Sequence, residues 1–200
     1  KINRMTLRKA VQTLVDEGYV EKIQGKGNIV TKTPQHTNLV VFGDEASTSL
    51  SRSLRETGFN ASREVLSLKE KVDPKYIIDK FDDTETIFEL IRLSKIDDKP
   101  YALQICYFPS KYYKNPERFD FEKYSLYSYM DIYNRTPKIY ASDMEIIKAD
   151  KKLNKILKPG DNKLLFKTIY KSYSNDEELL EYTIAYYLSE NTVYKHVSEK

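Results

Sequence analysis

Thr86-Ile87-Phe88-Glu89-Leu90-Ile91-Arg92-Leu93-Ser94-Lys95-Ile96-Asp97-Asp98-Lys99-Pro100-Tyr101-Ala102-Leu103-Gln104-Ile105-Cys106-Tyr107-Phe108 is the stretch on which the fold turns. Two long runs rich in β-branched and aromatic residues, Thr86 to Ile96 and Tyr101 to Phe108, flank Asp97-Asp98-Lys99-Pro100, whose residues favour a turn. The pattern predicts a β-hairpin. In the first strand Phe88, Leu90, Arg92, Ser94 and Ile96 share a face, because side chains alternate along a strand. In the second, Gln104 shares a face with Ala102, Cys106 and Phe108. An arginine amid an apolar face is out of place unless something there needs its charge.

Elements on either side extend the same architecture. Residues 61 to 72 read as a strand, and Pro74 marks a first helical turn at Pro74-Lys75-Tyr76-Ile77-Ile78. Ser125 caps a predicted helix from Leu126 to Tyr133, and Pro137 to Lys148 returns as a strand. Residues 150 to 157 form a short helix that stops at Pro159-Gly160. Two more strands, Lys163 to Tyr173 and Leu179 to Leu188, are joined by the turn Ser174-Asn175-Asp176-Glu177; in the second, Glu181, Thr183, Ala185 and Tyr187 share a face. A short helix is expected from Ser47 to Thr57, ending at Gly58. Strands joined mostly by hairpins, with helices interspersed, predict an α+β domain on an antiparallel sheet.

The front of the chain has another character. Leu7, Ala10, Val11, Leu14 and Val15 form one apolar stripe of a helix, which turns Arg8, Lys9 and Gln12 to the opposite side. Asn3 stands at the N-cap, and Gly18 where a helix usually ends in the left-handed conformation. The runs Tyr19 to Ile23 and Asn28 to Thr31, separated by Gly25-Lys26-Gly27, suit a hairpin whose tip needs positive φ. Helix then hairpin is the second half of a winged helix-turn-helix. Residues 32 to 38, polar with Pro34, read as a linker.

Charge separates the two regions as well. Residues 1 to 35 carry seven Lys or Arg against three acids, a net +4, while the other 26 basic residues face 27 acids. The formal charge of +3 is therefore concentrated at the end that would meet a polyanionic backbone. No apolar run approaches the roughly 18 residues needed to span a bilayer, so a soluble protein without membrane partners is predicted. Cys106 is the only cysteine, which leaves no intrachain disulfide and fits a reducing cytoplasm. His36 and His196 have no ligand-spaced companions, and neither a metal nor a cofactor is expected. No nucleophile, histidine dyad or acid pair stands at a spacing that supports catalysis.

The string Asn3-Arg4-Met5-Thr6-Leu7-Arg8-Lys9-Ala10, followed by Leu14-Val15-Asp16-Glu17-Gly18-Tyr19 and Gln24-Gly25-Lys26-Gly27, resembles the recognition helix and wing of GntR-family transcriptional regulators. Asn3 replaces the usual serine and Leu7 the usual valine. The resemblance implies that Arg4, Thr6 and Arg8 enter the major groove, where an arginine fork can meet guanine O6 and N7, with Lys26 and Gly27 approaching from the wing. The family uses two further helices upstream, and one helix with a hairpin cannot close a core. The sequence is thus expected to be a piece of a longer chain, and by itself a poor DNA binder.

The rear region resembles the UTRA effector domain of the HutC-type subfamily. The order that carries this is Ser49-Leu50, Gly58, Arg92 through Pro100, Tyr107-Phe108-Pro109, Ser125-Leu126-Tyr127 and Glu181-Tyr182. The resemblance implies a chorismate-lyase-like fold, dimerisation through the effector domain, and a ligand-filled cleft that alters presentation of the DNA-binding domains. It assigns Ser49, Arg92, Gln104, Ser125, Tyr127, Glu181, Tyr187 and Tyr194 to the effector. The arginine and hydroxyls would take a phosphate; Glu181 and Tyr194 would meet sugar hydroxyls or an amine. Two positions depart from the pattern. Ser94 stands where relatives often carry a second arginine, and Gln104 where they carry a glutamate.

The expected organisation is therefore a partial winged helix-turn-helix over 1–31, a linker over 32–38 and a UTRA-like domain over 39–200. The expected function is that of a homodimeric repressor of operator DNA controlled by a small anionic metabolite, with a sugar phosphate first. An enzyme on a lyase-like fold and a ligand sensor without DNA binding are the alternatives.

Overall fold

Asp97 and Asp98 both adopt positive φ, 48° and 62°, the left-handed pair that closes a two-residue hairpin in step with strand twist. They join β5 (Ile87–Ile96) to β6 (Lys99–Pro109). The turn is tighter than the four residues expected, because Lys99 pairs with Ile96 and Pro100 already lies opposite Lys95. The register shifts there, between Ser94 and Lys95, which accommodates a proline that cannot donate to the ladder.

The computed structural model describes residues 3–16, 20–23, 25, 27–30, 40–43 and 60–195. The chain divides into two compact units, Lys1–Leu39 and Val40–Lys200. In the first, α1 (Arg4–Asp16) precedes the antiparallel pair β1 (Val20–Ile23) and β2 (Gly27–Val30). Asn3 caps the helix as expected, its Oδ1 accepting from the Met5 amide at 3.1 Å. Gly25 and Gly27 take φ of 82° and 87°, as the hairpin tip requires. The apolar stripe of α1 is covered only in part. Val11 and Val15 are half-buried, whereas Leu7 and Leu14 remain 59% and 41% exposed.

In the second unit six antiparallel strands form a sheet in the order β4-β5-β6-β9-β8-β7. Besides β5 and β6 these are β4 (Ala61–Lys71), β7 (Ile139–Lys148), β8 (Leu164–Tyr173) and β9 (Leu179–Leu188). The helices are α2 (Lys75–Ile78), α3 (Leu126–Asp131) and α4 (Lys151–Leu157). Ser125 accepts from the Ser128 amide at 3.0 Å to start α3, and Asp150 accepts from Leu153 at 2.8 Å to start α4. α3 stops two residues short of the expected Tyr133. α4 stops at Lys158, which takes the left-handed conformation (φ 49°) just ahead of Pro159. A separate parallel pair, β3 (Val40–Gly43) with β10 (Thr192–Lys195), had no signal in the sequence. The predicted Ser47–Thr57 helix, the 32–38 linker and the Gly18 helix end lie outside the described residues.

While β7 at one edge is largely exposed, the central strands are buried on both faces. On one, Ile77, Ile78 and Phe81 cluster with Ile87, Tyr107 and Tyr182, and Leu153 and Leu157 of α4 join Leu103, Leu165 and Leu188. On the other, Leu90, Cys106 and Phe108 pack with Tyr113, Phe121, Leu126, Tyr129 and Met130. The edge strand β4 is blunted against further pairing by a register shift at Val65/Ser67 and by Glu122, which accepts from the Val65 amide at 3.0 Å.

Candidate functional site

In the first unit Arg4, Thr6 and Arg8 are all exposed on α1. Arg4, Arg8 and Gln12 recur every four residues and so share a ridge of the helix. Gln12 Oε1 accepts from Lys22 Nζ of β1 at 2.5 Å. That contact carries the basic line from the helix onto the hairpin. Gly27 opens β2 at an exposed position, and Lys26 lies outside the described residues.

In the second unit the strand register assembles the other site. Arg92 faces Gln104, Gln104 faces Ala185 and Ala185 faces Thr168, one row across β5, β6, β9 and β8. The next row runs Leu90, Cys106, Thr183 and Tyr170, and Glu181 faces Ser172 in the row beyond. Directly opposed residues project from the same side of a sheet. The three faces inferred separately from the sequence are thus one surface, with a band of buried polar groups across it.

Arg92 is 6% exposed, and its Nη2 donates to Cys106 Sγ at 3.7 Å. Among the described residues its Nε and Nη1 have no hydrogen-bond partner and no carboxylate pairs with it. Leaving a buried guanidinium unneutralised is costly, so such a group calls for an explanation. On the far side of Cys106, Glu181 accepts from Thr183 at 2.6 Å and Ser172 at 2.9 Å, and the Tyr127 hydroxyl meets Ser172 at 3.1 Å. Burial, reinforced by the Glu181 carboxyl, pushes the Tyr127 phenol up, so it remains a protonated donor. Burial also pushes the Cys106 thiol up, against the pull of Arg92. A thiol held protonated is not an activated nucleophile.

The other assigned residues are more dispersed. Tyr187 is buried on the same face, its hydroxyl 3.1 Å from that of Tyr170. Gln104 is half-buried beside Arg92. Ser125 uses its hydroxyl at the start of α3, bonding the Ser128 amide and Oγ. The backbone of Tyr194 pairs with Phe42 in the β3–β10 ladder; its side chain, and Ser49 entirely, lie outside the described residues. Sequence reasoning passed over Thr168, Tyr170, Ser172 and Cys106. The alternation in Lys163 to Tyr173 put the first three on one face, but only the strand order shows that this face is the one carrying Arg92. Among the described residues, no group of three His, Cys, Asp or Glu could hold a metal ion.

The Arg92 face of the sheet thus holds a buried, unneutralised cation beside a bank of hydroxyls, groups able to hydrogen-bond a small molecule. Comparison with known families agrees with a ligand-binding module: the UTRA domain model matches residues 56–192, and the chain belongs to the UTRA domain family. Over 110 residues the chain is 29% identical to the uncharacterized HTH-type transcriptional regulator YurK of Bacillus subtilis strain 168, covering 54% of this chain and 43% of that one. It thus spans less than half the length of this relative. The crystal structure of PhnF from Mycobacterium smegmatis superposes with a TM-score of 0.75 at 19% identity, over 99% of this chain and 86% of that one. A GntR-family transcriptional regulator from Bacillus cereus gives 0.60 at 19% identity, over 70% and 99%. At such identities the likeness is one of fold.

Proposed function

We propose that this chain works as a cytoplasmic, homodimeric transcriptional repressor of the GntR type, released from double-stranded operator DNA by a small anionic effector, with a sugar phosphate as the leading class. Residues 1–31 contribute the recognition helix and wing, 32–38 link, and 39–200 bind the effector and dimerise. The exposed line of Arg4, Arg8 and Lys22 supports the DNA-facing role. The relatives named as transcriptional regulators support the class.

The observation that carries the effector reading is Arg92, buried with two N–H-bearing atoms lacking partners. A phosphate or carboxylate would satisfy both through short, charge-assisted bonds. Glu181 and Tyr127, across Cys106, would then meet polar hydrogens on the rest of the molecule. The effector acts on DNA binding by binding the two arrangements of the dimer with different affinity, since equal affinity would shift nothing.

Two measurements test this. Binding to DNA from upstream of the protein's own gene should weaken steeply with salt as phosphate contacts release counterions; an affinity flat with salt ends the regulator reading. Thermal shift against phosphorylated and carboxylate metabolites should find at least one stabilising anion, and Arg92→Gln should markedly reduce its effect. A variant that responds like the wild type to every anionic hit makes Arg92 merely structural.

A further inference from the structure

The six-stranded sheet ends in two very different edges. β4 is blunted by its register shift and by Glu122, which takes up the Val65 amide. β7 carries no such guard. It pairs with β8 through ten consecutive residues without a shift, contains no proline, and eight of its ten residues are exposed. Among the described residues, only β8 hydrogen-bonds its main chain. The N–H and C=O groups along its outer side therefore form a template for another strand. Its side chains favour one: Ile139, Tyr140, Ala141, Met144, Ile146 and Ile147 are apolar, and Ile146 is 63% exposed.

Charge and pattern decide which strand fits. The two acids of β7 are each bound by a lysine of β8, Asp143 by Lys171 at 3.0 Å and Glu145 by Lys167 at 2.6 Å. Lys148, the remaining charge, is the last residue of the strand. Two copies of this edge can therefore meet without unneutralised like charges, whereas a strongly charged foreign strand finds nothing there to attract it. A twofold axis perpendicular to the sheet keeps each face on its own side, so odd-numbered residues oppose odd and even oppose even. With the axis through Asp143, Tyr140 of one copy opposes Ile146 of the other and Ile139 opposes Ile147, and each pair occurs twice. Such aromatic and β-branched pairs stabilise antiparallel strands. An axis one residue on, at Met144, sets Asp143 against Glu145 and Tyr140 against Lys148. One residue back, at Ser142, it sets Ile139 against Glu145.

We infer that β7 is where two copies of this chain join, edge to edge and antiparallel about an axis at Asp143, so that their sheets become continuous. This inference rests on the homodimeric reading and gives that dimer its seam. Residues 139 to 147 of both copies overlap, which supplies roughly eight to ten main-chain hydrogen bonds, as many as a whole interface of standard size carries. The seam also adjoins the Arg92 face. The Tyr140 ring lies 6.0 Å from that of Tyr127, whose hydroxyl meets Ser172 beside Glu181.

Sedimentation and cross-linking of the full-length protein test this. Opposed residues of an antiparallel pair have Cα atoms about 4.5–5.5 Å apart, within disulfide reach. A residue on the axis opposes its own copy, so Asp143→Cys should oxidise to a covalent dimer on a non-reducing gel. Leu66→Cys, exposed on β4, and the wild type, whose one cysteine is buried, should stay unlinked. Ile146→Lys changes a side chain that is in water in the single chain, so it should keep the wild-type circular dichroism yet weaken self-association about tenfold or more, two cross-strand pairs being lost at once. If the wild type sediments as a dimer but Asp143→Cys stays unlinked, or Ile146→Lys associates as tightly as the wild type, the seam is wrong and the homodimeric reading stands. If the wild type is a monomer at tens of micromolar, both fall.

Discussion

Arg8 and Arg92 carry the same guanidinium in opposite surroundings. Arg8 stands in water on α1, aligned with Arg4 and the Gln12–Lys22 contact. Arg92 is buried in a sheet with one weak bond to a thiol and, among the described residues, two atoms unpaired. An exposed charge costs the fold almost nothing and gains only from a partner that is itself highly charged, since water and salt screen it. A buried one is held at a cost and repays a single small ligand strongly, because little solvent competes there. The difference teaches where to look for each function: a polyanion is met by many exposed cations, a small anion by one hidden cation.

The contrast yields predictions of decreasing size. Raising salt from 50 to 200 mM should weaken operator binding by about a thousandfold if some six phosphates are engaged, whereas anion binding at Arg92 should change far less; titrations at both salts compare them. Alkali should act on the sheet unit. Burial raises the Tyr101, Tyr127 and Tyr187 phenols above their ordinary 10.0. A folded-state value above the unfolded one gives stability that is complete below pH 10 and lost as pH rises, so denaturation at pH 11 should show about 4 kcal/mol less stability from these three.

Arg92→Gln should weaken the effector by about 1.5–3 kcal/mol, roughly 10–150-fold by calorimetry, with operator affinity in its absence unchanged. Arg8→Ala should reverse that pattern, reducing discrimination between operator and mismatched DNA by about 1–3 kcal/mol in competition binding and sparing the effector. Asp150→Ala, which removes the α4 cap, should lower stability by only about 1 kcal/mol in urea denaturation and move neither binding activity.

Much of the sheet was legible because its signals are local. Alternation gave β5, β6, β8 and β9 to within a few residues, and Ser125 and Asn3 announced their helices through their side chains. The hairpin tip at Gly25 and Gly27 followed from a backbone that only glycine enters without strain. The parallel pair of Val40–Gly43 with Thr192–Lys195 was not legible, since its two four-residue strands lie at opposite ends of the unit and neither carries a pattern long enough to read. The cap role of Ser125 was read correctly; that its hydroxyl is thereby already engaged appears only from its bonds to Ser128.

The candidate site divides in the same way. The sequence by itself determined that Arg92 sits on an apolar face, that Gln104 and Glu181 lie on strands of matching periodicity, and that the charge of the chain is gathered on its first helix and hairpin. Only the tertiary structure decided that β9 enters between β6 and β8. That order places Thr168 and Ala185 in the row of Arg92 and Gln104. Periodicity fixes which side chains share a face of one strand, because that follows from the pleat. Which strands are neighbours is set by burial summed over the whole sheet, and no short window of sequence contains it.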